Sequence, residues 1–412
     1  MLALVRSMRG GAALGAGLLV LAACDLDVAN PGIIDSSTFD PAADARMLSL
    51  SAQQNFYAAY GTVINATALY SGEVWTGAVR QESNDIARRA IVDTNLDLNS
   101  TFWAPLQAAL ATNEQVLEVL GGVPDLASSI HVARSSMWSG FSLVLLGEVF
   151  CQGVIRLGPP LTQAQTLDSA IVRFQRAIQI ASGQTGAEAA KIADASRVGL
   201  ARAYLQKGDY ASAAQAAAAV PAGFVANAIY VDDPQSRGRT ANAVFTTSAG
   251  NTQIVAEAYR ALDDPRVPFA DAGTNAQDGR NRLYRQRKYT SFDAPIRVAS
   301  GLEARYIVAE AALAQGDPSP ALELIEERRA AGGQGAFDGT TPQEILAELM
   351  DQRARDFWLE AKHLGDALRN PDATPFVPPP GSPYYKPEQG SFGPLTCLEV
   401  PFVEKANNPN FR

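Results

Sequence analysis

The residues that could perform acid–base or metal chemistry are few in this sequence. Among its 412 residues are two histidines, His131 and His363, and both lie within patterns that predict helices. The Cys-x-x-Cys, His-Glu-x-x-His and Gly-x-Ser-x-Gly signatures of redox, zinc and hydrolase sites do not occur. We therefore expect no enzymatic activity, no metal and no cofactor, although 43 acidic residues leave a carboxylate pair for glycoside hydrolysis open.

Two further stretches have the composition of phosphate- or nucleic-acid-binding sites. Gly332 to Gly335 (GGQG) follows a predicted helix rather than a strand, which favours a flexible connection over a phosphate-binding loop. The run Arg280 to Lys288 (RNRLYRQRK) is basic, but the whole chain has a net charge of −9, which argues against nucleic acid as a partner. We predict that this run is a strand with exposed arginines.

Aromatic residues outside helix interiors are more informative about binding. They are Tyr70, Trp75, Trp103, Tyr284, Tyr289, Phe292, Tyr384 and Tyr385. Most of these rings are expected to be packing residues, and two or three to line a ligand surface. We place that surface in the irregular segments Tyr70 to Arg89 and Arg280 to Asp293, because surface loops often carry recognition residues.

Five residues of these two segments are our candidates for ligand binding. Two can stack on a sugar or peptide and three can form directed hydrogen bonds: Trp75 and Tyr284, and Arg80, Asn84 and Arg282. Aromatic contacts of this type contribute about 0.5–1.5 kcal/mol beyond the burial of area. The alternative for Trp75 is packing against the first helix, in which case its truncation would cost about 3–5 kcal/mol of stability.

The elements that would position these residues are helical hairpins, one of which the chain repeats. Leu200 to Ala214 and Val308 to Leu322 each predict a helix, a Gly-Asp turn and a second helix. Gly208 and Gly316 fall where the end of a helix favours a left-handed residue. The pattern is typical of tetratricopeptide-type hairpins, which bury their apolar faces only against stacked neighbours. Two unrelated alanine-rich hairpins are the alternative.

Outside this repeat the chain alternates between helical and irregular segments. Apolar spacing predicts helices over Pro41–Tyr60, Phe102–Leu120 and Ile130–Gly147. A capping box at Thr341 opens a predicted long helix whose apolar stripe runs from Ile345 through Phe357 and Ala361 to Leu368. The predicted fold class is therefore mainly α, with tetratricopeptide-like hairpins forming one body and a loop-rich, irregular half containing short β-strands. The helical repeats cover about residues 130–220 and 300–370, and the irregular segments about 70–100, 221–300 and 371–412. Because the last of these is rich in proline, we expect it to wrap the body as coil.

The first residues have the composition of an export signal. Residues 1–23 contain Arg6 and Arg9 followed by an apolar run too short to span a bilayer. The run ends in Leu-Ala-Ala before Cys24, a sequence similar to a bacterial lipobox, which predicts lipidation of Cys24 and a single domain over residues 24–412. A plain secretory signal is the alternative. For Cys151 and Cys397, an exported protein suggests a disulfide, and two buried thiols are the alternative.

Several weak motifs occur in the order found in one known family. They are Asp264–Arg266 (DPR), the basic-aromatic strand and Ala-Glu-Ala helix of Arg287–Leu313, the Arg-rich aromatic segment Arg353–Arg369, and the closing segment Leu398–Phe411. In this order the chain resembles the SusD/RagB-type outer-membrane nutrient-binding lipoproteins along its whole length. It departs from them at His363–Gly365, where aromatic residues are usual, and in having Cys151 and Cys397.

The resemblance implies a non-enzymatic receptor with a lipid anchor on the outer membrane, facing the cell surface. Such a receptor captures a glycan or oligopeptide nutrient and delivers it to a SusC-type TonB-dependent transporter. Its only membrane contact would be the lipid. Two other classes are the alternatives: a helical-repeat scaffold for envelope protein assembly, and an anchored glycosidase.

Overall fold

A helical body forms most of the computed structural model, which describes residues 40–411. The predicted signal peptide and Cys24 lie outside the described residues. The α-helices are α1 (Pro41–Tyr70), α2 (Gln81–Ala87), α3 (Ala104–Gly121), α4 (Ile130–Val149), α5 (Gln163–Ser182), α6 (Ala187–Gln206), α7 (Tyr210–Ala218), α8 (Arg237–Thr240), α9 (Ala243–Ala249), α10 (Glu257–Arg260), α11 (Gly301–Ala314), α12 (Ser319–Ala331), α13 (Pro342–Asp356), α14 (His363–Arg369) and α15 (Phe402–Asn407). A π-helical turn at Leu98–Trp103 leads into α3. None of the helices between residues 40 and 411 is both long and apolar enough to cross a membrane.

The predicted helical repeats are present, and the mainly α fold is confirmed. Along the chain α4 packs on α5, α5 on α6, and α6 on α7; α7 then packs on α11, and α11 on α12. Both turns of the repeated hairpin have the expected geometry, because Gly208 and Gly316 have φ values of +76° and +89°. In the first copy the Asp209 side chain caps α7 by accepting a hydrogen bond from the backbone N–H of Ser212.

The centre of the helical body is α4, which is buried on all its faces from Val132 to Val149. Glycines allow the neighbouring helices to approach closely around one ring, that of Phe174 on α5. A Cβ added at Gly140 on α4 would lie 2.7 Å from this ring, and one at Gly199 on α6 would overlap it. The Phe174 ring therefore fits between α4 and α6 at two positions that carry no side chain, and it also meets the ring of Phe141 on α4 at 5.0 Å.

The prediction of one long helix beyond Thr341 is wrong, because the segment Phe357–Lys362 separates α13 from α14. In that segment Leu359 and Ala361 have positive φ values of 57° and 54°. The break is fixed by buried polar contacts from distant parts of the chain. The Leu359 N–H donates to Glu73 Oε1 at 2.8 Å, and Arg297 donates to the Asp356 carbonyl at 2.6 Å. These tertiary contacts outweigh a helix-favouring apolar period.

Three further details differ from the predictions. Helix α1 continues ten residues past Tyr60, to Tyr70, and most of this half is buried, so no single apolar stripe marks it. The segment after it contains a strand, α2 and the π-helical turn rather than loop alone. The C-terminal segment is largely coil, as expected, but Phe402–Asn407 forms α15 after Pro401, where proline is tolerated.

The eight strands of residues 40–411 are short and pair only in twos. They are β1 (Val74–Thr76), β2 (Gln152–Gly153), β3 (Leu161–Thr162), β4 (Val225–Ala228), β5 (Gln253–Val255), β6 (Phe269–Asn275), β7 (Arg282–Gln286) and β8 (Ile296–Ser300). The antiparallel pairs are β1–β5, β2–β3, β4–β8 and β6–β7. Part of the basic run is thus strand β7, as its alternation predicts.

A disulfide joins Cys151, just after α4, to Cys397 in the C-terminal segment. Backbone hydrogen bonds flank it, because the Cys151 N–H donates to Leu398 O at 2.9 Å and the Leu398 N–H donates to Val149 O at 2.8 Å. The Tyr70 hydroxyl at the end of α1 donates to Cys397 O at 2.9 Å. The C-terminal segment is therefore attached to the middle of the helical body.

Candidate functional site

Trp75 lies in β1, at the edge of the helical body. Its strand pairs with β5, and Trp75 faces Ile254 across the pair. The indole stacks on the ring of Tyr385, with centroids 4.4 Å apart and an angle of 8° between the planes. Trp75 is partly exposed, and its indole N–H forms no hydrogen bond with any residue of the described range. Trp75 therefore packs against the core but keeps part of its ring and its N–H accessible.

Tyr385 is fixed by a chain of polar contacts. Its hydroxyl donates to Thr76 O at 2.7 Å and accepts from the Tyr384 hydroxyl at 2.9 Å. The Tyr384 hydroxyl also lies 3.4 Å from Asn84 Oδ1. Burial raises the pKa of the Tyr385 hydroxyl well above its ordinary value, so it stays a neutral donor. The stacking partner of Trp75 is thus held in place by β1 and α2.

Arg260 joins Trp75 to Tyr284. Its guanidinium carbon lies 4.0 Å from the centroid of the Tyr284 ring and 5.6 Å from that of Trp75. Its Nε donates to Val255 O at 3.1 Å, which fixes the side chain against β5. Tyr284 in β7 also meets the edge of Phe269, with centroids 6.2 Å apart. We call the group Trp75, Arg260, Tyr284 and Tyr385 the aromatic site.

Of the five candidates chosen from the sequence, two belong to the aromatic site. Trp75 and Tyr284 lie on either side of Arg260. Asn84 is buried on α2, where its Nδ2 donates to Arg80 O at 2.7 Å and its Oδ1 approaches Tyr384. Asn84 therefore supports the site indirectly, through Tyr384, whose hydroxyl donates to that of Tyr385.

The other two candidates, Arg80 and Arg282, are engaged in ion pairs. The Arg80 side chain is 52% exposed and lies 2.6 Å from Asp97. The Arg282 side chain is 46% exposed and lies 2.8 Å from Asp271, opposite Tyr284 in the β6–β7 pair. Arg282 therefore lies at the margin of the aromatic site, whereas Arg80 contacts none of its four residues in the described structure.

Sequence reasoning missed the other two members of the site. Tyr385 is one of the aromatic residues outside helices, but its proline-rich surroundings gave no sign that it would reach β1. Arg260 lies at the end of the four-residue helix α10 and belongs to no motif. Only the pairing of β1 with β5 brings it to Trp75.

A buried acidic residue lies two positions before Trp75. Glu73 Oε1 accepts the Leu359 N–H, and Ser71 Oγ donates to its other carboxylate oxygen at 3.3 Å. Burial raises the pKa of the Glu73 carboxyl to about 7, against opposing contributions from those contacts and from Lys288. Glu73 thereby connects the start of β1 to the break between α13 and α14.

The two histidines belong to α4 and α14 and are not members of the aromatic site. His363 is fully buried, meets the edge of the Tyr259 ring at 6.1 Å, and has its pKa lowered to about 4 by burial. His131 Nδ1 lies 3.2 Å from Ser49 Oγ and 3.1 Å from Arg134, and burial lowers its pKa. Both packing environments favour neutral imidazoles.

Solved structures with the same fold include SusD-like proteins. A SusD-like carbohydrate-binding protein from Bacteroides vulgatus has a TM-score of 0.70 at 15% identity, covering 90% of this chain and 98% of that one. Surface glycan-binding protein A from Bacteroides thetaiotaomicron has a TM-score of 0.69 at 12% identity, covering 89% and 97%. A SusD superfamily protein from Parabacteroides distasonis has a TM-score of 0.68 at 16% identity, covering 91% and 99%.

The resemblance to SusD-type proteins is thus confirmed for the fold. At these identities the similarity concerns the fold alone. No family model matches the sequence, and no curated protein is matched by its sequence.

Proposed function

We propose that this protein is a non-catalytic glycan-binding protein whose ligand contacts the aromatic site. The observation that carries this proposal is the stack of Trp75 on Tyr385 beside Arg260 and Tyr284, with a Trp75 N–H that no residue between 40 and 411 engages. Sugars present apolar C–H faces and hydroxyl groups, which suit aromatic rings and free N–H donors respectively. The names of two neighbours in fold, a carbohydrate-binding protein and a surface glycan-binding protein, give further support.

The aromatic site is suited to binding because its parts are held before a ligand arrives. The Tyr385 hydroxyl is tied to Thr76, and Arg260 Nε is tied to Val255, so neither side chain must be ordered by the ligand. Preorganised side chains save about 0.5–1.5 kcal/mol each in lost rotamer freedom. Weak stacking contacts can then produce useful affinity.

Calorimetry of the purified protein against a library of oligosaccharides tests this function. Tyr284→Ala should weaken the binding of the best oligosaccharide severalfold, because stacking contributes about 0.5–1.5 kcal/mol. Tyr210→Ala is the matched control, because Tyr210 is also a partly buried tyrosine but lies on α7 in the helical body. If no oligosaccharide binds, or if the two variants behave alike, the proposal fails.

The place of this function in the cell is a further part of the proposal. We infer that Cys24 carries the lipid anchor, that the protein faces the cell surface at the outer membrane, and that it passes its glycan to a SusC-type TonB-dependent transporter. The lipobox-like residues before Cys24 and the SusD-type fold support this inference. Cys24→Ala should release the protein from washed outer membranes, and a transporter should co-purify with the native form only. A variant that stays membrane-bound would exclude the lipid anchor.

A further inference from the structure

The guanidinium of Arg260 has no acidic partner within residues 40–411. Several other basic side chains of the surrounding segments are paired with a carboxylate. These pairs are Arg80–Asp97, Arg282–Asp271, Arg280–Glu388 and Lys386–Asp278. Arg260 is thus a cation of the aromatic site that no carboxylate of residues 40–411 neutralises, and it is available to an acidic partner from outside.

The surroundings of Arg260 favour an anion as that partner. Its ring contacts to Tyr284 and Trp75 engage the face of the guanidinium, and Nε is used by Val255 O. Its two terminal nitrogens donate no hydrogen bond to the described residues. They form the planar fork that binds carboxylate or sulfate through two parallel hydrogen bonds. Because the group is only partly exposed, water screens such a contact less than it would on an open surface.

Neighbouring cations extend the positive character of this region. Arg285 in β7 donates only to the amide oxygen of Asn251, and Arg287 follows it with an exposed side chain. Neither has an ion-pair partner in the part of the chain that the structure describes. The run Arg280 to Lys288 contains no acidic residue. Three of its five basic side chains are paired with the carboxylates of Glu388, Asp271 and Glu360, and Arg285 and Arg287 remain as positive charges near a ligand at Tyr284.

We propose that the aromatic site selects an acidic glycan, in which a carboxylate or sulfate group binds Arg260 between Trp75 and Tyr284. The proposal rests on the proposed glycan-binding function and adds the charge of the ligand to it. Arg260 is the residue that determines this specificity, and the two rings contact the sugar that carries the acidic group.

The test compares acidic oligosaccharides with neutral counterparts of the same backbone. Oligogalacturonates and their methyl esters form the carboxylate arm. Chondroitin sulfate and desulfated chondroitin oligosaccharides form the sulfate arm. Because desulfated chondroitin keeps its carboxylates, chemically carboxyl-reduced chondroitin is measured alongside them. Neutral glucan and xylan oligosaccharides complete the panel. By calorimetry, the tightest ligand should be acidic and should bind roughly 10- to 100-fold more tightly than its neutral counterpart, as for a charge-assisted contact. Added salt should reduce this preference.

Variants of Arg260 identify the source of the preference. Arg260→Gln should abolish it, whereas Arg260→Lys keeps the charge without the planar fork and should keep part of it. Arg280→Gln is the matched control, because the Arg280 side chain is 75% exposed and is paired with Glu388. Melting temperatures establish that each variant is folded. The comparison of oligogalacturonate with its methyl ester on the wild-type protein tests the acidic preference without any variant.

The outcomes separate this inference from the function on which it rests. If neutral oligosaccharides bind best and Tyr284→Ala weakens them, the glycan-binding function holds and the acidic specificity is refuted. An acidic preference that survives in Arg260→Gln also refutes the role of Arg260. If nothing in the panel or the wider library binds, both proposals fail.

Discussion

Removal of the Cys151–Cys397 disulfide should reduce stability without removing the ligand-binding function. The bridge closes a loop across a sequence separation of 246 residues. The chain-entropy relation for such a loop gives about 5 kcal/mol, chiefly from restriction of the unfolded chain. With an unfolding entropy near 2.1 cal/mol/K per residue, this corresponds to a fall of about 6 °C in the melting temperature.

The folded state should change little in the double variant Cys151→Ser, Cys397→Ser. The two backbone hydrogen bonds between the segments around Cys151 and Leu398 do not depend on the sulfur atoms, and neither does the Tyr70 hydroxyl contact. Tyr385 is tied to Thr76 directly. We therefore expect the glycan affinity of the folded protein to stay within twofold of wild type.

Calorimetric melting of the oxidised wild type and the double variant measures this effect. The reduced wild type is the matched control, because it lacks the bridge but keeps both sulfur atoms, and it should melt with the variant. A melting shift below about 1 °C would refute the entropic reasoning. Two alkylatable thiols in the native, unreduced protein would refute the bridge itself.

Two further predictions concern the helical body and the base of the aromatic site. Gly199→Ala should destabilise the protein by about 1–3 kcal/mol in denaturant unfolding, because its methyl group would overlap the buried Phe174 ring. Gly183→Ala, at the open end of α5, is the control and should be nearly neutral. Equal effects of the two substitutions would contradict this packing. Burial raises the pKa of the Glu73 carboxyl from its ordinary value of 4.5 to about 7. Between these two pH values the folded protein keeps a proton that the unfolded chain has already released, so its stability falls as the pH rises. Between pH 5 and 8 the stability of wild type should therefore fall relative to that of Glu73→Gln, by up to about 3 kcal/mol, and parallel pH profiles would exclude the raised pKa.

The features that were predictable from the sequence are those with local causes. Gly208 and Gly316 end their helices because each position needs a left-handed residue, and this requirement is visible in a few neighbouring residues. The repeated hairpin follows from apolar spacing within it, and stacking of such hairpins explains the mainly α fold. The candidates Trp75 and Tyr284 were chosen because aromatic residues in surface loops often contribute to recognition, and their role in binding stays a prediction.

The features that were missed depend on contacts between distant parts of the chain. The apolar period through Phe357 and Ala361 fits a helix, and only the hydrogen bond from Leu359 to Glu73 and the contacts of Arg297 break it. No local pattern records those partners.

The aromatic site is a similar case, because its four residues come from β1, α10, β7 and the C-terminal segment. Arg260 becomes notable only after the structure shows which other cations are paired. Arg80 and Arg282 had the right chemistry in the right segments, but Asp97 and Asp271 occupy them. Sequence analysis proposed two of the three rings, Trp75 and Tyr284, but neither Tyr385 nor the charge of Arg260.

Titration of Trp75→Ala with the best oligosaccharide of the wild-type protein, together with its melting temperature, tests the central claim most directly. Trp75 is partly exposed, so its loss should cost less stability than the roughly 3–5 kcal/mol of a core tryptophan. We predict an affinity about tenfold weaker, because the stacked ring and the free N–H are lost together, and a melting temperature that falls by only a few degrees. Unchanged affinity in a folded variant would contradict the account, because the ligand would then bind elsewhere.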